Sequence, residues 1–406
     1  MDIKIYKKEV LMQKTYRNVL GCILLVILVT MANNYSANSA ILKYFLFGIE
    51  FVLIFTMYNE AKRNGFMAFN NNLLIVCFTI VIIGMILFKN NAFYSNIIKF
   101  IGYVTCFSFG KATAIQHLSP PPKNIIIGLI VLPFFIVAIG DNSLNQSQFF
   151  PNSNNFTYWG LCSAILYYTS YHTNPKTFKI SIIIVLAYIA VGSSLGIFVA
   201  FILSIFVINR KNKKLMLVSI MFGVLLFIGI VWSDMAIFKR IRNIIDIYNS
   251  ISWNDWLNLA DLDLYELQQT NSVEENMRSD NTSSIWRFQH WLILLKDYFN
   301  NLSYSIFLGL GDNYAQFKHI LRPHNDWLRI LIEYGAIVFI IITKWTYRFC
   351  RTISHDLVYY MFLTVVIYHL TENLIDAFPA NCLMYICAGF WYQKCKRKKT
   401  LIIKES

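Results

Sequence analysis

Repeated apolar runs of membrane-spanning length are the feature that most constrains how this chain can fold. The sequence has 406 residues, of which 56% are hydrophobic and 14% are charged. A typical soluble domain has about a quarter of its residues charged. A chain inside a bilayer must satisfy its backbone hydrogen bonds internally, and an α-helix does so over ~20 residues. These properties predict an all-α, polytopic membrane protein.

Twelve apolar runs are candidate transmembrane helices. They lie near 18–33, 40–58, 70–88, 93–110, 124–140, 156–171, 179–192, 194–208, 215–232, 328–345, 357–372 and 379–393. Several are shorter than the ~20 residues of a full span, which indicates broken or tightly paired helices. The first run follows Lys14 and Arg17 without a clear small-residue cleavage site after it, and we interpret it as an uncleaved signal-anchor.

The charge pattern predicts how these runs are oriented. The net charge is +14, and most of the lysines and arginines lie in alternate segments between the runs, at 4–17, 62–63, 111–123, 176–179, 210–214, 344–351 and 394–404. The intervening loops at 33–38 and 141–155 contain neither lysine nor arginine. By the positive-inside rule, both termini are cytoplasmic. No nucleic-acid-binding motif accompanies the basic segments, so nucleic acid is excluded as a partner.

One segment, 233–327, is the only long loop and is predicted to lie outside. Its 95 residues include five tryptophans, and long loops are usually functional or disordered. The predicted organisation has three parts. Residues 1–232 hold transmembrane helices one to nine, 233–327 form a large periplasmic loop domain, and 328–406 hold transmembrane helices ten to twelve with a basic cytoplasmic tail.

Within this loop, residues 285–299 have the pattern of an amphipathic helix. Its apolar stripe comprises Phe288, Trp291, Leu292, Leu295 and Phe299. Ser283 or Ser284 is a suitable N-cap. Arg287 and His290 are three residues apart and face away from much of the stripe. We expect an interfacial helix that turns a cation and an imidazole towards a polar cavity.

A second polar feature is the run from Pro323 to Trp327, directly before the tenth apolar run. Polar groups at a membrane boundary are costly, so their default interpretation is a functional site. The imidazole of His324 can take a proton from a hydroxyl at ambient pH, although a capping or interfacial histidine is the alternative. The guanidinium of Arg287 can bind a phosphate through two parallel hydrogen bonds. We predict that His324 and Arg287 are catalytic.

Other polar side chains around these two are predicted to bind substrate. They are Arg322, Lys318, Arg278, Asn325, His290 and Glu372. For the cations, contact with solvent or lipid headgroups is the alternative, and for Glu372 it is a hydrogen-bond network at the membrane edge. The cysteines form no Cys-x-x-Cys pair, and the acidic residues between 261 and 280 follow no calcium-loop pattern. We therefore predict no metal and no cofactor.

The order of these features resembles the O-antigen ligase and polymerase superfamily of bacterial envelope glycosyltransferases. The resemblance lies first in the topology, with about twelve spans, cytoplasmic ends and one large late loop. It lies second in the order of motifs: Arg287 with Trp291, then Gly309-x-Gly311, then His324-Asn325, and after nine further residues Gly335-Ala336-Ile337-Val338. Family ligases tend to carry an arginine at the junction matching 192–196, where this chain has Ser193, Ser194 and Leu195. The loop 141–155 lacks the basic character typical of many polymerases.

The resemblance implies a metal-independent glycosyltransferase of the bacterial inner membrane. It would transfer a glycan from undecaprenyl diphosphate on the periplasmic face, with Arg287 and His324 as the family's functional arginine and histidine. A ligase would use lipid A-core as acceptor in lipopolysaccharide biosynthesis, and a polymerase would use a lipid-linked repeat. A transporter or flippase of lipid-linked glycan is a rival from another class, and a non-catalytic membrane scaffold is a third.

Overall fold

The computed structural model describes residues 40–66, 72–88, 93–115, 122–139, 153–192, 194–209, 283–319 and 322–405, with positions 10, 14, 17–21 and 221 in addition. The predicted spans near 18–33 and 215–232 lie almost entirely outside these residues. Most of the predicted loop domain also lies outside them, including Arg278, which was predicted to bind substrate.

The described secondary structure is entirely helical, which confirms the all-α prediction. The helices are α1 Ala40–Arg63, α2 Asn72–Phe88, α3 Phe93–Ile115, α4 Lys123–Ile139, α5 Ser153–Tyr171, α6 Thr177–Gly192, α7 Leu195–Asn209, α8 Ser283–Asn300, α9 Leu302–Leu308, α10 Tyr314–His319, α11 Asp326–Ile353, α12 Val358–Tyr368 and α13 Phe378–Glu405. Ten of the twelve predicted runs coincide with one of them. In the described part of the chain, none of these helices combines the length and the apolar character needed to cross a membrane.

The centre of the bundle is the pair α3 and α13. A Cβ atom on Gly110 would overlap the carbonyl oxygen of Ile386, and one on Gly389 would overlap that of Phe107. Two glycines therefore let the backbones approach from both sides, as small residues do between closely packed helices. Around this pair, α1 packs on α3, α5 packs on α13 and α6, and α12 packs on α7.

Helix α11 is interrupted at Gly335, whose φ of 83° and ψ of 171° are not helical. The interruption receives the loop that follows α9. The N–H of Leu310 donates to the carbonyl oxygen of Ile332 at 2.7 Å, and the N–H of Gly311 donates to that of Glu333 at 3.3 Å. These bonds satisfy carbonyl groups that the break would leave without partners. They also fix the loop between α9 and α10 against the N-terminal half of α11.

Candidate active site

The carboxylate of Glu372 joins the two residues predicted to be catalytic. Nη1 of Arg287 donates to Oε1 of Glu372 at 2.7 Å and to the carbonyl oxygen of Thr371 at 3.0 Å. Oε2 of Glu372 lies 3.3 Å from Nδ1 of His324. Glu372 is 3% exposed, whereas the side chains of Arg287 and His324 are 21% and 28% exposed. A buried anion thus holds a cation and an imidazole that both reach the surface.

Three separate elements bring these residues together. Arg287 is in the first turns of α8, Glu372 is in the turn between α12 and α13, and His324 is in the segment before α11. His324 has a φ of 47°, a left-handed conformation that costs a non-glycine residue of order 1–3 kcal/mol. Such strain persists only where the surroundings enforce it, and it is common at functional sites.

The strained segment is fastened on both sides of His324. Before it, Nε1 of Trp291 donates to the carbonyl oxygen of Pro323. After it, Oδ1 of Asn325 accepts a hydrogen bond from the N–H of Leu328 at 3.0 Å and caps α11. One contact with α8 and one with α11 therefore hold the backbone on either side of His324.

Asp326 binds the turn that carries Glu372. Its Oδ2 accepts hydrogen bonds from the N–H groups of Leu374 and Ile375 at 2.7 and 3.0 Å, and it lies 2.6 Å from Nδ1 of His369. The N–H of Asp326 donates to the carbonyl oxygen of His369 at 2.8 Å. Asp326, two positions after His324, therefore fixes the backbone position of Glu372, the carboxylate partner of His324.

A second carboxylate, Asp376, gathers three cations from different parts of the chain. Lys99 on α3 lies 3.1 Å from Oδ1, Arg329 on α11 lies 2.8 Å from Oδ2, and Arg322 also contacts Oδ2. Burial alone would raise the pKa of Asp376, but the charges of Arg329, Lys99 and Arg322 lower it well below its ordinary value. This group is therefore a permanent anion at neutral pH.

A third carboxylate, Asp297 near the end of α8, contacts α10. His319 Nε2 lies 2.8 Å from its Oδ2, Tyr314 OH lies 3.0 Å away, and Lys318 Nζ lies 3.3 Å away. Burial would raise the pKa of Asp297, but the hydrogen bonds from His319 and Tyr314 and the charge of Lys318 lower it. The cluster fastens α10 to α8.

The junction between α6 and α7 lies against the Glu372 turn. Oγ of Ser194 is 3.0 Å from the hydroxyl of Tyr368, and a Cβ on Gly196 would lie 2.9 Å from Oγ1 of Thr371. Small residues at this junction therefore allow it to reach the candidate site.

Residues 177–343 match the family model described as O-Antigen ligase, Wzy_C. This match supports the predicted resemblance to the O-antigen ligase superfamily. A comparison with curated proteins finds no match. The region matched to the O-antigen ligase model includes Arg287, His324 and Gly335, whereas Glu372 and Asp376 follow it along the chain.

The residues predicted to bind substrate make separate contacts in the structure. Glu372 contacts both predicted catalytic residues, and Asn325 caps a helix beside them. Arg322 pairs with Asp376, and Lys318 pairs with Asp297. His290 is fully buried, with its ring 5.8 Å from that of His319. Arg278 lies outside the described residues, and the substrate-binding roles of all six stay predictions.

Two charged residues that the sequence analysis did not single out are Arg329 and Asp376. Arg329 is 3% exposed, with its Nε 3.0 Å from Oε2 of Glu333 one turn later. A signal was present, because an arginine and a glutamate four residues apart within a predicted span are expensive unless paired. No comparable signal marked Asp376, whose partners are far away in sequence.

The arrangement is suited to proton transfer next to an anion. When its proton is on Nδ1, the ring of His324 can donate a hydrogen bond to Oε2 of Glu372. This bond orients the ring and leaves Nε2 as the basic nitrogen. An imidazole held by a carboxylate in this way can act as a general base, and a guanidinium beside it can stabilise negative charge. In the described part of the chain no group of three or more His, Cys, Asp or Glu residues is arranged to hold a metal ion, and metal independence stays a prediction.

Proposed function

We propose that this chain is a membrane-embedded glycosyltransferase that acts as an O-antigen ligase in lipopolysaccharide biosynthesis. It transfers a glycan from undecaprenyl diphosphate to lipid A-core on the periplasmic face of the bacterial inner membrane. The observation that carries the proposal is the shared contact of Arg287 and His324 with Glu372. The O-antigen ligase match of the region that contains both residues supports it.

In the proposed reaction, His324 takes the proton of an acceptor hydroxyl. The hydroxyl oxygen attacks the anomeric carbon of the donor glycan and forms the new glycosidic bond. The bond between that carbon and the diphosphate oxygen breaks, and undecaprenyl diphosphate leaves with the electron pair. Arg287 stabilises the charge on the leaving group, and direct attack inverts the anomeric centre.

A membrane location for this reaction is supported by the outer surface of the bundle. Large apolar side chains are exposed along several helices, among them Phe51, Phe55, Ile82, Ile86, Leu87, Phe135, Ile183, Leu203 and Ile340. Exposed apolar surface on this scale marks a contact with a membrane or another protein. A bilayer would bring a lipid-linked donor to the site from the side.

Reconstitution tests the proposal. The protein is placed in proteoliposomes with undecaprenyl diphosphate-linked glycan and lipid A-core, both from the cells that produce it. We expect transfer by the wild type and a loss of at least about 100-fold in His324→Ala and in Arg287→Ala. The matched controls His355→Ala and Arg351→Ala, both exposed near the C-terminal end of α11, should keep wild-type activity.

The product distinguishes the alternatives. Glycan attached to lipid A-core supports a ligase, whereas glycan attached to a second lipid-linked glycan would assign the chain as a polymerase. Movement of the donor across the bilayer without a new glycosidic bond would indicate a transporter. Full transfer activity in both active-site variants would refute the catalytic assignment.

A further inference from the structure

Asn373 lies in the middle of a backbone segment, 371–375, that the protein holds from both ends. Arg287 binds the carbonyl oxygen of Thr371 and the side chain of Glu372. Asp326 binds the N–H groups of Leu374 and Ile375. The central residue is therefore fixed beside the candidate active site by contacts that do not involve its own side chain.

The side chain of Asn373 has unused hydrogen-bonding capacity. Its Oδ1 is buried and accepts no hydrogen bond from the described residues, and Nε of Arg287 is likewise buried and donates none to them. A buried polar atom without a partner costs about 1–3 kcal/mol, so such atoms are few in folded proteins and call for an explanation. One of these atoms belongs to Arg287, which binds Glu372, and the other belongs to Asn373, the next residue after Glu372. Their proximity to the candidate site points to a ligand that supplies the missing partners.

The chemistry of the two groups indicates what that ligand is. The guanidinium Nε–H can only donate, and this suits an oxygen of the diphosphate. An amide both accepts and donates, so its complement is a group that does the same. A sugar hydroxyl meets this requirement, whereas a phosphate has no hydrogen to give to Oδ1 and would be repelled by the adjacent Glu372.

We propose that Asn373 binds a hydroxyl group of the sugar next to the reacting bond and is a specificity-determining residue of the site. This inference rests on the proposed transferase function. The hydroxyl belongs either to the donor glycan or to the acceptor glycan. A site that pairs a buried polar group with a substrate hydroxyl discriminates against substrates that lack it.

The test compares wild type with Asn373→Ala in the reconstituted transfer assay, using the same lipid-linked donor and lipid A-core acceptor. Each substrate is varied while the other is saturating. We expect kcat/KM to fall roughly tenfold for one substrate, the loss of about one hydrogen bond. The affected substrate identifies the source of the hydroxyl. A monodeoxy form of that substrate lacking the bound hydroxyl should react equally well with both proteins.

Thermal unfolding separates binding from a structural role. Because Oδ1 of Asn373 has no hydrogen-bond partner among the described residues, Asn373→Ala should unfold at the wild-type temperature or above it. The matched control is Asn381→Ala. Asn381 accepts a hydrogen bond from Tyr158 at 2.6 Å and donates to the carbonyl oxygen of Leu374 at 2.7 Å, so its loss should lower the unfolding temperature.

Two results would overturn the inference: unchanged kcat/KM for both substrates in Asn373→Ala, or an unfolding temperature lowered as in Asn381→Ala. Either result, obtained with an inactive His324→Ala variant, would leave the proposed function intact. Full activity of His324→Ala would instead remove the proposed function and this inference together.

Discussion

At the scale of single residues, Glu372 determines how the candidate site is assembled. It is the buried partner of both Arg287 and His324, which come from elements far apart in the chain. A carboxylate in this position fixes the imidazole ring and balances the charge that the ring gains when it takes a proton. Glu372 is therefore expected to act through His324, as a positioning residue.

Substitution Glu372→Gln tests this role. The amide keeps the size of the side chain but removes the charge, so we expect the transfer rate to fall about 10–100-fold, within the range typical of general acid–base catalysis. Steady-state transfer kinetics measure the effect, which should appear in kcat. The matched control is Glu60→Gln, because Glu60 is also buried and bonded to an arginine, Arg63 at 2.8 Å. Equal losses in the two variants would count against a specific role for Glu372.

At the scale of elements, the break in α11 positions the half-helix that follows His324. A Cβ atom on Gly335 would lie 2.9 Å from the backbone N of Gly309 and from the carbonyl oxygens of Ser305 and Ile306. Gly309 also has a positive φ, of 73°. Both glycines are thus required for the close crossing of α9 and α11.

Substitution Gly335→Ala should disrupt that crossing. The new methyl group meets backbone atoms, and the φ of 83° is unfavourable for alanine, so we expect a loss of about 1–3 kcal/mol in the free energy of unfolding. Chemical denaturation in detergent measures it, and the transfer rate should fall with it. Gly128→Ala on α4 is the control: a Cβ there meets nothing within 4 Å, and alanine favours a helix over glycine. A Gly335→Ala protein as stable as the wild type would contradict the proposed role of the break.

The elements were more predictable from the sequence than the contacts between them. Helix α8 was predicted at 285–299 from its periodicity and spans Ser283–Asn300. Its place in an amphipathic helix identified Arg287 as a candidate, and its position at a membrane boundary identified His324. Glu372 was predicted to bind substrate, with a membrane-edge hydrogen-bond network as the alternative, and its contact with both residues was not predicted. Periodicity reports which face of one helix is apolar. It contains no information on which turn meets that helix in space, so the Asp376 cluster could not be predicted.

At the scale of the whole molecule, the Asp376 cluster connects α3, α11 and the segment before α11 to the turn before α13. Its three cations, Lys99, Arg322 and Arg329, come from sequence positions up to 277 residues away. Buried charges of this kind are tolerated only when paired. The cluster therefore ties the end of the helix bundle to the segment that carries His324.

The cluster predicts how stability depends on pH. The pKa of Asp376 is lower in the folded chain than in the unfolded chain, so its contribution to stability is complete above the ordinary carboxyl pKa of about 4 and is lost as the pH falls below it. Asp376→Asn should lose about 1–3 kcal/mol at pH 7, because the buried Arg329 loses one of its two carboxylate partners. Unfolding temperatures measured from pH 7 to pH 3 should fall less steeply in the variant. Parallel curves would show that Asp376 does not contribute to the acid sensitivity.

The convergence of Arg287, Glu372 and His324 is the central claim, and cross-linking measures this convergence directly. In a cysteine-free background, a short bifunctional thiol reagent is applied to membranes that contain the pairs His324→Cys with Glu372→Cys and Arg287→Cys with Glu372→Cys. A control pair combines Glu372→Cys with Arg351→Cys. Arg351 is at the other end of α11 from Asp326, which contacts the Glu372 turn, and the two are separated by 25 residues or roughly 37 Å of helix. We predict efficient cross-linking of the first two pairs and none of the control. Failure of both site pairs, with each cysteine accessible to a monofunctional reagent, would contradict the account.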